Sequence, residues 1–122
     1  MQQSGARSGL QLRSLVKSNG DLELSLTGVP VPTPAANDVL IRIEAAPINP
    51  SDLGLLFAGA DMTQANQRGT KERPVVAARI PDAALKSMAA RFDVSMPVGN
   101  EGAGVVIEAG SSAAAQALLK AL

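Results

Sequence analysis

Residues 97–110 read PVGNEGAGVVIEAG, and this stretch decides how the chain folds. Gly99, Gly102 and Gly104 permit a close backbone approach or a positive φ immediately before a run of β-branched residues. That run, Val-Val-Ile at 105–107, is stiff at χ1 and favours a pleated, half-buried surface. The stretch therefore predicts a glycine-rich turn that enters a β-strand, and the strand ends where the stretch ends.

Upstream segments predict further strands. Residues 10–16 and 22–27 are apolar-rich and flank Ser18-Asn19-Gly20-Asp21. Asn-Gly between two such runs predicts a hairpin, because both residues tolerate a positive φ. Residues 38–45, DVLIRIEA, alternate with period two and predict a half-buried strand. Its apolar face carries Val39, Ile41, Ile43 and Ala45.

Composition excludes several classes of function. The 122 residues carry 11 basic and 11 acidic side chains, so the chain has no net positive charge that would attract a nucleic acid or an anionic membrane. Cysteine and histidine do not occur, which removes disulfides, thiol nucleophiles and the commonest zinc ligands. The remaining chemistry belongs to carboxylates, hydroxyls, amides and the backbone.

The start of the chain carries no targeting signal that we recognise. Residues 1–9 are polar and without periodicity, which predicts a disordered N-terminus. No apolar run approaches the roughly 20 residues that span a bilayer, and the basic-then-apolar layout of a secretory signal is missing. These features predict a cytoplasmic protein without a membrane partner.

Residues 47–53, PINPSDL, predict the start of a short helix. Asn49 or Ser51 can cap it, Pro50 suits its first turn, and Gly59 can end it. Asn, Ser and Asp are ordinary residues at helix starts, so a purely structural cap is one interpretation and a functional site is the other.

Three motifs occur in a fixed order: VPVPTPAANDVLIRIEAA at 29–46, NPSD at 49–52 and GNEGAGVVIEAGSS at 99–112. Over about residues 10–110 this order resembles the N-terminal, GroES-like catalytic domain of the medium-chain dehydrogenase/reductase superfamily. The resemblance implies a mainly β, α+β fold with short helices. It also implies a partial β-barrel, incomplete and lacking the Rossmann domain.

Two differences from that family's zinc-dependent members indicate which branch of the superfamily the chain resembles. In its zinc-dependent alcohol dehydrogenases a cysteine ligand stands at the position of Asn49, and a histidine ligand at that of Asn100. Both ligands are missing here, so the chain resembles the zinc-independent quinone oxidoreductases and binds no metal. The resemblance implies hydride transfer from NADPH, or NADH, to a quinone or an enone.

The same resemblance assigns roles to individual residues. Asn49 would face the nicotinamide and the acceptor oxygen, Ser51 would be a relay hydroxyl, and Asp52 would orient its neighbours. Asn100 and Glu101 would border the cofactor. Glu101 would chiefly accept hydrogen bonds from backbone amides, with general-base work as the alternative. An enoyl-thioester reductase is a further alternative, although the tyrosine that those enzymes use is absent.

Residues 60–95 form a long insertion relative to that family. The insertion is either a lid over the substrate or a solvated surface segment. Within it, residues 61–72 predict a polar loop and 75–80 predict a strand. Residues 81–92 predict an amphipathic helix. Its apolar stripe consists of Ala84, Leu85, Met88, Ala89 and Phe92.

Residues 111–122 predict a helix that Ser111 or Ser112 caps. Its apolar face consists of Ala115, Leu118, Leu119 and Leu122. We expect residues 10–122 to form one domain portion that covers exposed sheet edges and this face by self-association, as a homo-oligomer.

The glycine-rich turn does not predict a dinucleotide fingerprint, because it enters a strand and not a helix. We therefore expect this stretch of chain to be catalytically silent alone and to act within a longer oxidoreductase. Two non-enzymatic alternatives remain: a GroES-like interaction module, such as a ring subunit, and a regulatory domain that binds a partner oxidoreductase.

Overall fold

A computed structural model describes residues 7–121 and divides them into two compact units. The larger unit comprises Gly9–Val29 and Ile48–Gly99, and the smaller unit comprises residues 7–8, 30–47 and 100–121. The predicted disorder at 1–9 falls outside the described residues for 1–6. It is wrong for Ser8 and Gly9, which begin the first strand.

The first two strands form the predicted hairpin in the larger unit. β1 spans Ser8–Val16 and β2 spans Asp21–Pro30. The N–H of Lys17 donates to the carbonyl of Asp21 at 2.8 Å, and the N–H of Gly20 donates to the carbonyl of Lys17 at 2.9 Å. Of the Asn-Gly pair, Gly20 alone has a positive φ, of 99°, and Asn19 accepts a hydrogen bond from the Asp21 N–H instead.

A five-stranded antiparallel sheet builds on that hairpin in the order β4-β5-β2-β1-β6. β4 spans Asn66–Gly69, β5 spans Pro74–Arg79 and β6 spans Ser95–Pro97. The prediction of a loop over 61–72 is wrong in part, since it contains β4 and a 3₁₀ turn at Met62–Gln64. Strand β4 is short and exposed, and its pairing with β5 is what defines it.

The core of the larger unit lies on one face of β1 and β2. Val16, Leu22 and Ile80 are fully buried, and in β2 the buried Leu22 and Leu24 alternate with half-buried residues. Because Ile80 belongs to the core, interpreting 60–95 as a solvated surface segment is wrong at the end of β5. The strand predicted at 75–80 is confirmed as β5, one residue earlier at each end.

The apolar stripe of residues 81–92 packs on this core through Ala84, Leu85, Met88 and Phe92, whereas Ala89 of the predicted stripe is exposed. The prediction of a single amphipathic α-helix over 81–92 is nevertheless wrong. Helix α2 spans only Asp82–Leu85, and a 3₁₀ helix continues over Lys86–Arg91. The Ser87 hydroxyl donates to the Ala84 carbonyl at 2.8 Å. A continued α-helix would need that carbonyl for its own ladder, so the side chain competes with it.

Helix α1, Pro50–Phe57, also belongs to the larger unit and begins and ends where the sequence predicts. Asn49 is its N-cap and Pro50 its first residue. It ends at Ala58, which has a left-handed φ of 49°, directly before Gly59.

The smaller unit is a two-stranded antiparallel sheet with one helix. β3 spans Val39–Ala45, β7 spans Ala103–Ala109, and α3 spans Ala113–Lys120. The Ser112 hydroxyl caps α3 by accepting from the Ala115 N–H at 3.1 Å, which confirms the predicted cap. On α3, Ala115 is buried, whereas Leu118 and Leu119 are exposed, and Leu122 of the predicted face lies outside the described residues.

The half-buried strand predicted at 38–45 forms, yet its apolar face is not covered. Ile41 is 44 % exposed and Ile43 is 57 % exposed. The period-two pattern specifies a face but not a partner for it, and a two-stranded sheet with one short helix leaves that face open to solvent. Leu40, an apolar residue on the other face of the strand, is half-buried.

The described residues thus form a mainly β structure with short helices, as predicted, and its strands lie in two open sheets. None of the helices between residues 7 and 121 has the length and apolar character needed to cross a bilayer.

Candidate functional site

Asn49 is held at the start of α1 by the residue three positions later. The Asn49 N–H donates to Oδ2 of Asp52 at 2.8 Å, and the Asp52 N–H donates to the Asn49 carbonyl at 2.9 Å. Of these two, the first bond belongs to a capping box, in which the Asn49 side chain in turn accepts from the Asp52 N–H and the first orphan N–H groups of the helix find partners. Because both bonds bear on the backbone of Asn49, its φ of −91° and ψ of 153° are set by the helix it caps.

Asp52 is one of the two buried polar residues in the described range, at 9 % exposure. A carboxylate in the first turn also interacts favourably with the positive end of the helix dipole. Ser51, between them in sequence, is exposed. The structure therefore brings Asn49 and Asp52 into direct contact and places the Ser51 hydroxyl at the surface of the same turn.

The other end of α1 is anchored by two residues that the sequence did not single out. Ser14 on β1 is fully buried, and its hydroxyl lies 3.1 Å from the carbonyl oxygen of Leu55 and 3.2 Å from that of Leu56. Nη2 of Arg91 donates to the same hydroxyl at 3.2 Å. Ser14 lies two residues before the buried Val16 on β1, so both side chains point to the inner face of the strand. This spacing is the sequence feature that could have indicated Ser14.

Within residues 7–121, Arg91 is the residue with a buried side-chain nitrogen that has no hydrogen-bond partner. Its Nε is buried and has no hydrogen-bond partner, while its Nη2 binds Ser14. Burial lowers the pKa of the Arg91 guanidinium below its usual value, because the charged form loses hydration. A cation beside the carbonyl end of α1 is favourable for the helix dipole, and this contact offsets part of that loss.

From Asn100 onward the glycine-rich turn belongs to the smaller unit, and it enters β7, which confirms the predicted strand. Gly99, the last residue of the larger unit, has a φ of 92°, and β7 begins at Ala103. Asn100 and Glu101 lie in the turn with exposed side chains.

Gly104 permits close contact of β7 with β3. A Cβ at this position would lie 1.9 Å from the carbonyl oxygen of Arg42, a separation that no real side chain adopts. A Cβ at Gly102 would lie 3.2 Å from the side chain of Ile43. These glycines are therefore explained by strand pairing, independently of any ligand.

Glu101 also borders a cleft of about 440 Å³ within the smaller unit. The other lining residues are small or apolar: Ala45, Ala46, Pro47, Gly102 and Ala103. A cleft of this size with one carboxylate can hold a small, flat, mainly apolar molecule and offer it one hydrogen-bond acceptor.

A second cleft, of about 430 Å³, lies in the larger unit beside α2. Its lining includes the opposite charges Asp82 and Lys86 together with Leu85 and Phe92. The sequence indicated the apolar stripe there but not a cleft. Clusters of three or more potential metal-ligating acidic residues do not occur between residues 7 and 121.

The candidate residues thus fall into two groups, each on its own unit. Asn49, Ser51 and Asp52 share the first turn of α1, and Asn100 and Glu101 share the glycine-rich turn. No protein-family model matches the chain, and no curated protein matches it.

Proposed function

We propose that this chain is the substrate-side part of an NAD(P)H-dependent, zinc-independent oxidoreductase that reduces a quinone or an enone. We also propose that its fold is a portion of the GroES-like domain of medium-chain dehydrogenases/reductases. The support is the order of three features along the chain: a proline-rich connector before β3, a capped helix that begins with NPSD, and a glycine-rich turn that enters β7.

The observation that carries the proposal is the fixed position of Asn49. Its backbone is held by Asp52 through bonds of 2.8 and 2.9 Å, at the N-terminus of an eight-residue helix. A carboxamide offers both a donor and an acceptor. Preorganised donors near a helix N-terminus stabilise an oxygen on which negative charge develops, as in the reduction of a quinone or an enone.

The described residues suit the nicotinamide end of the cofactor better than its pyrophosphate. Amide and carboxyl groups of Asn100 and Glu101 can form hydrogen bonds with the nicotinamide carboxamide. The glycine-rich turn opens a strand, so it does not offer the helix N-terminus that a dinucleotide fingerprint supplies. NADPH or NADH, when bound, supplies the hydride, and these side chains would orient it.

The first test is binding to the chain itself. An amide-resolved NMR titration with a water-soluble naphthoquinone and with NADPH should shift Asn49 and Asp52 for the acceptor, and Asn100 and Glu101 for the cofactor. Asn49→Ala should weaken quinone binding, and Asn37→Ala, an exposed asparagine in the connector, should not. Equal behaviour of the two variants would contradict the proposal.

The second test is turnover by the product of the complete reading frame. NADPH oxidation with the same quinone should continue undiminished in excess EDTA. Asn49→Ala should lower kcat by about 10²-fold, the usual effect of removing one oxyanion donor, and Asn37→Ala should leave it unchanged. Activity that a chelator abolishes would point instead to a metal enzyme.

A non-enzymatic interaction module is the second candidate, and exposed apolar residues favour it. Ile41, Ile43, Val105 and Ile107 are each at least 41 % exposed on the small sheet. A chain that fails both tests above but captures a strand at this sheet would be such a module.

A further inference from the structure

Strand β3 has one paired edge and one open edge within the described part of the chain. Its partner there is β7, through a register that runs from Val39↔Ala109 to Ala45↔Ala103 and shifts between Leu40 and Ile41 and between Ile43 and Ala45. An open strand edge presents a row of N–H and C=O groups that can accept another strand. The apolar side chains Ile41 and Ile43 on this strand are also exposed.

We propose that the open edge of β3 binds the same edge of a second copy of this chain. The two strands run antiparallel about a two-fold axis, and the result is a four-stranded sheet in the order β7-β3-β3-β7. Ile43 lies at the centre of the interface, opposite Ile43 of the second copy. This inference specifies an interface and does not rest on the oxidoreductase proposal.

Charge complementarity on β3 selects that partner and that register. Arg42 and Glu44 are exposed and form a 2.8 Å ion pair on one face of the strand. Centring the strands on Ile43 places Arg42 of each copy directly opposite Glu44 of the other. Opposite charges at facing positions stabilise an antiparallel pair, and here they occur twice because of the symmetry.

The neighbouring symmetric registers are disfavoured by the same residues. A two-fold axis perpendicular to the sheet keeps the two faces of the strand separate, so only residues of one face can oppose each other. Centring on Arg42 would oppose the two Arg42 side chains, and centring on Glu44 would oppose the two carboxylates. Like charges directly opposite are destabilising.

Cysteine cross-linking tests the register directly, since the chain has no cysteine of its own. In the proposed dimer the two Cα atoms of residue 43 lie about 5 Å apart, within the range of a disulfide. Ile43→Cys should therefore form a disulfide-linked dimer under mild oxidation. The matched control is Ile41→Cys, on the same face, whose two copies lie about 13 Å apart and should remain reduced.

A charge-exchange series tests the same interface without a covalent bond. Sedimentation velocity should show a concentration-dependent dimer for the unmodified chain. Arg42→Glu and Glu44→Arg should each weaken it about tenfold or more, and the double exchange should restore it, because opposite charges again face each other. Lys71→Glu, exposed in the turn between β4 and β5, makes the same charge change as Arg42→Glu and should have no effect.

Three outcomes would overturn the proposal. The chain could sediment as a monomer at every concentration, Ile41→Cys could cross-link as fast as Ile43→Cys, or the double exchange could dimerise no better than the single ones. Circular dichroism of each variant establishes that a lost dimer reflects a lost interface and not a lost fold.

Discussion

The hydroxyl of Ser14 lies 3.1 Å from the carbonyl oxygen of Leu55, and this contact joins strand β1 to the end of helix α1. A helix leaves its last four carbonyls without partners in the helix. Here Gly54 accepts from the Ala58 N–H and Phe57 accepts from the Ala60 N–H. The Ser14 hydroxyl lies within hydrogen-bond distance of the two carbonyls between them, those of Leu55 and Leu56. A side chain of β1 therefore satisfies the C-terminus of α1.

Ser14→Ala should lower the free energy of unfolding by about 1–3 kcal/mol, because it leaves partly buried carbonyls and an arginine N–H without their partner. The measurement is urea unfolding followed by circular dichroism. The control is Ser25→Ala on β2, whose hydroxyl is exposed and should cost less than about 0.5 kcal/mol. Equal losses for the two serines would show that the hydroxyl does not anchor α1.

Arg91→Met should leave stability unchanged or raise it by up to about 1 kcal/mol, since methionine keeps the apolar stem and removes a partly buried charge. Ser14 keeps its carbonyl partners in this variant. Because burial lowers the pKa of Arg91, the folded chain loses this proton at lower pH than the unfolded chain. The contribution of Arg91 to the free energy of unfolding therefore rises with pH only in strongly alkaline solution.

The difference in the free energy of unfolding between Arg91→Met and the unmodified chain should therefore be constant between about pH 6 and pH 9, because Arg91 is protonated in both the folded and the unfolded chain there. Arg68→Met, at an exposed arginine of β4, controls for loss of a surface charge. A large destabilisation that grows within this pH range would contradict the prediction.

Gly104→Ala should destabilise the β3–β7 sheet by about 1–3 kcal/mol or more, because the added methyl would lie 1.9 Å from the Arg42 carbonyl oxygen. Gly54→Ala makes the same change inside α1, where nothing lies within 4 Å of the added methyl. It should instead stabilise the chain by about 0.5–1 kcal/mol. Opposite signs in thermal unfolding are the expected result, and a shared sign would refute the close-approach explanation.

Asp52→Ala should cost about 1 kcal/mol, because it removes the acceptor for the Asn49 N–H and a favourable charge at the helix start. Hydrogen exchange at the Asn49 amide should accelerate by about tenfold or less. Asp82→Ala, at the exposed first residue of α2, changes the same charge and should leave the Asn49 amide unaffected. Unchanged exchange at Asn49 in both variants would show that the capping box does not hold it.

Features that depend on near neighbours in the chain could be predicted from the sequence. The hairpin at 18–21, the cap at Asn49 and the strand after Gly104 each follow from residue types within a few positions. Their physical causes are local, namely a preferred φ, a side chain that reaches a nearby N–H, and stiff β-branched residues.

The contacts of Ser14 are of a different kind, because its partners lie 41, 42 and 77 residues away. The residues near Ser14 in the chain do not specify the carbonyls or the guanidinium that its hydroxyl contacts. The 3₁₀ helix at Lys86–Arg91 is a milder case, in which a serine hydroxyl competes with a helix that periodicity favoured.

The sequence by itself determined which residues turn, cap and extend, since those preferences arise from sterics and hydrogen bonds within a few residues. Only the tertiary structure decided that β4 pairs with β5, that Ile80 enters the core, and that Ile41 and Ile43 remain exposed. Burial depends on which distant surfaces meet, and alternation along a strand specifies a face without specifying what covers it.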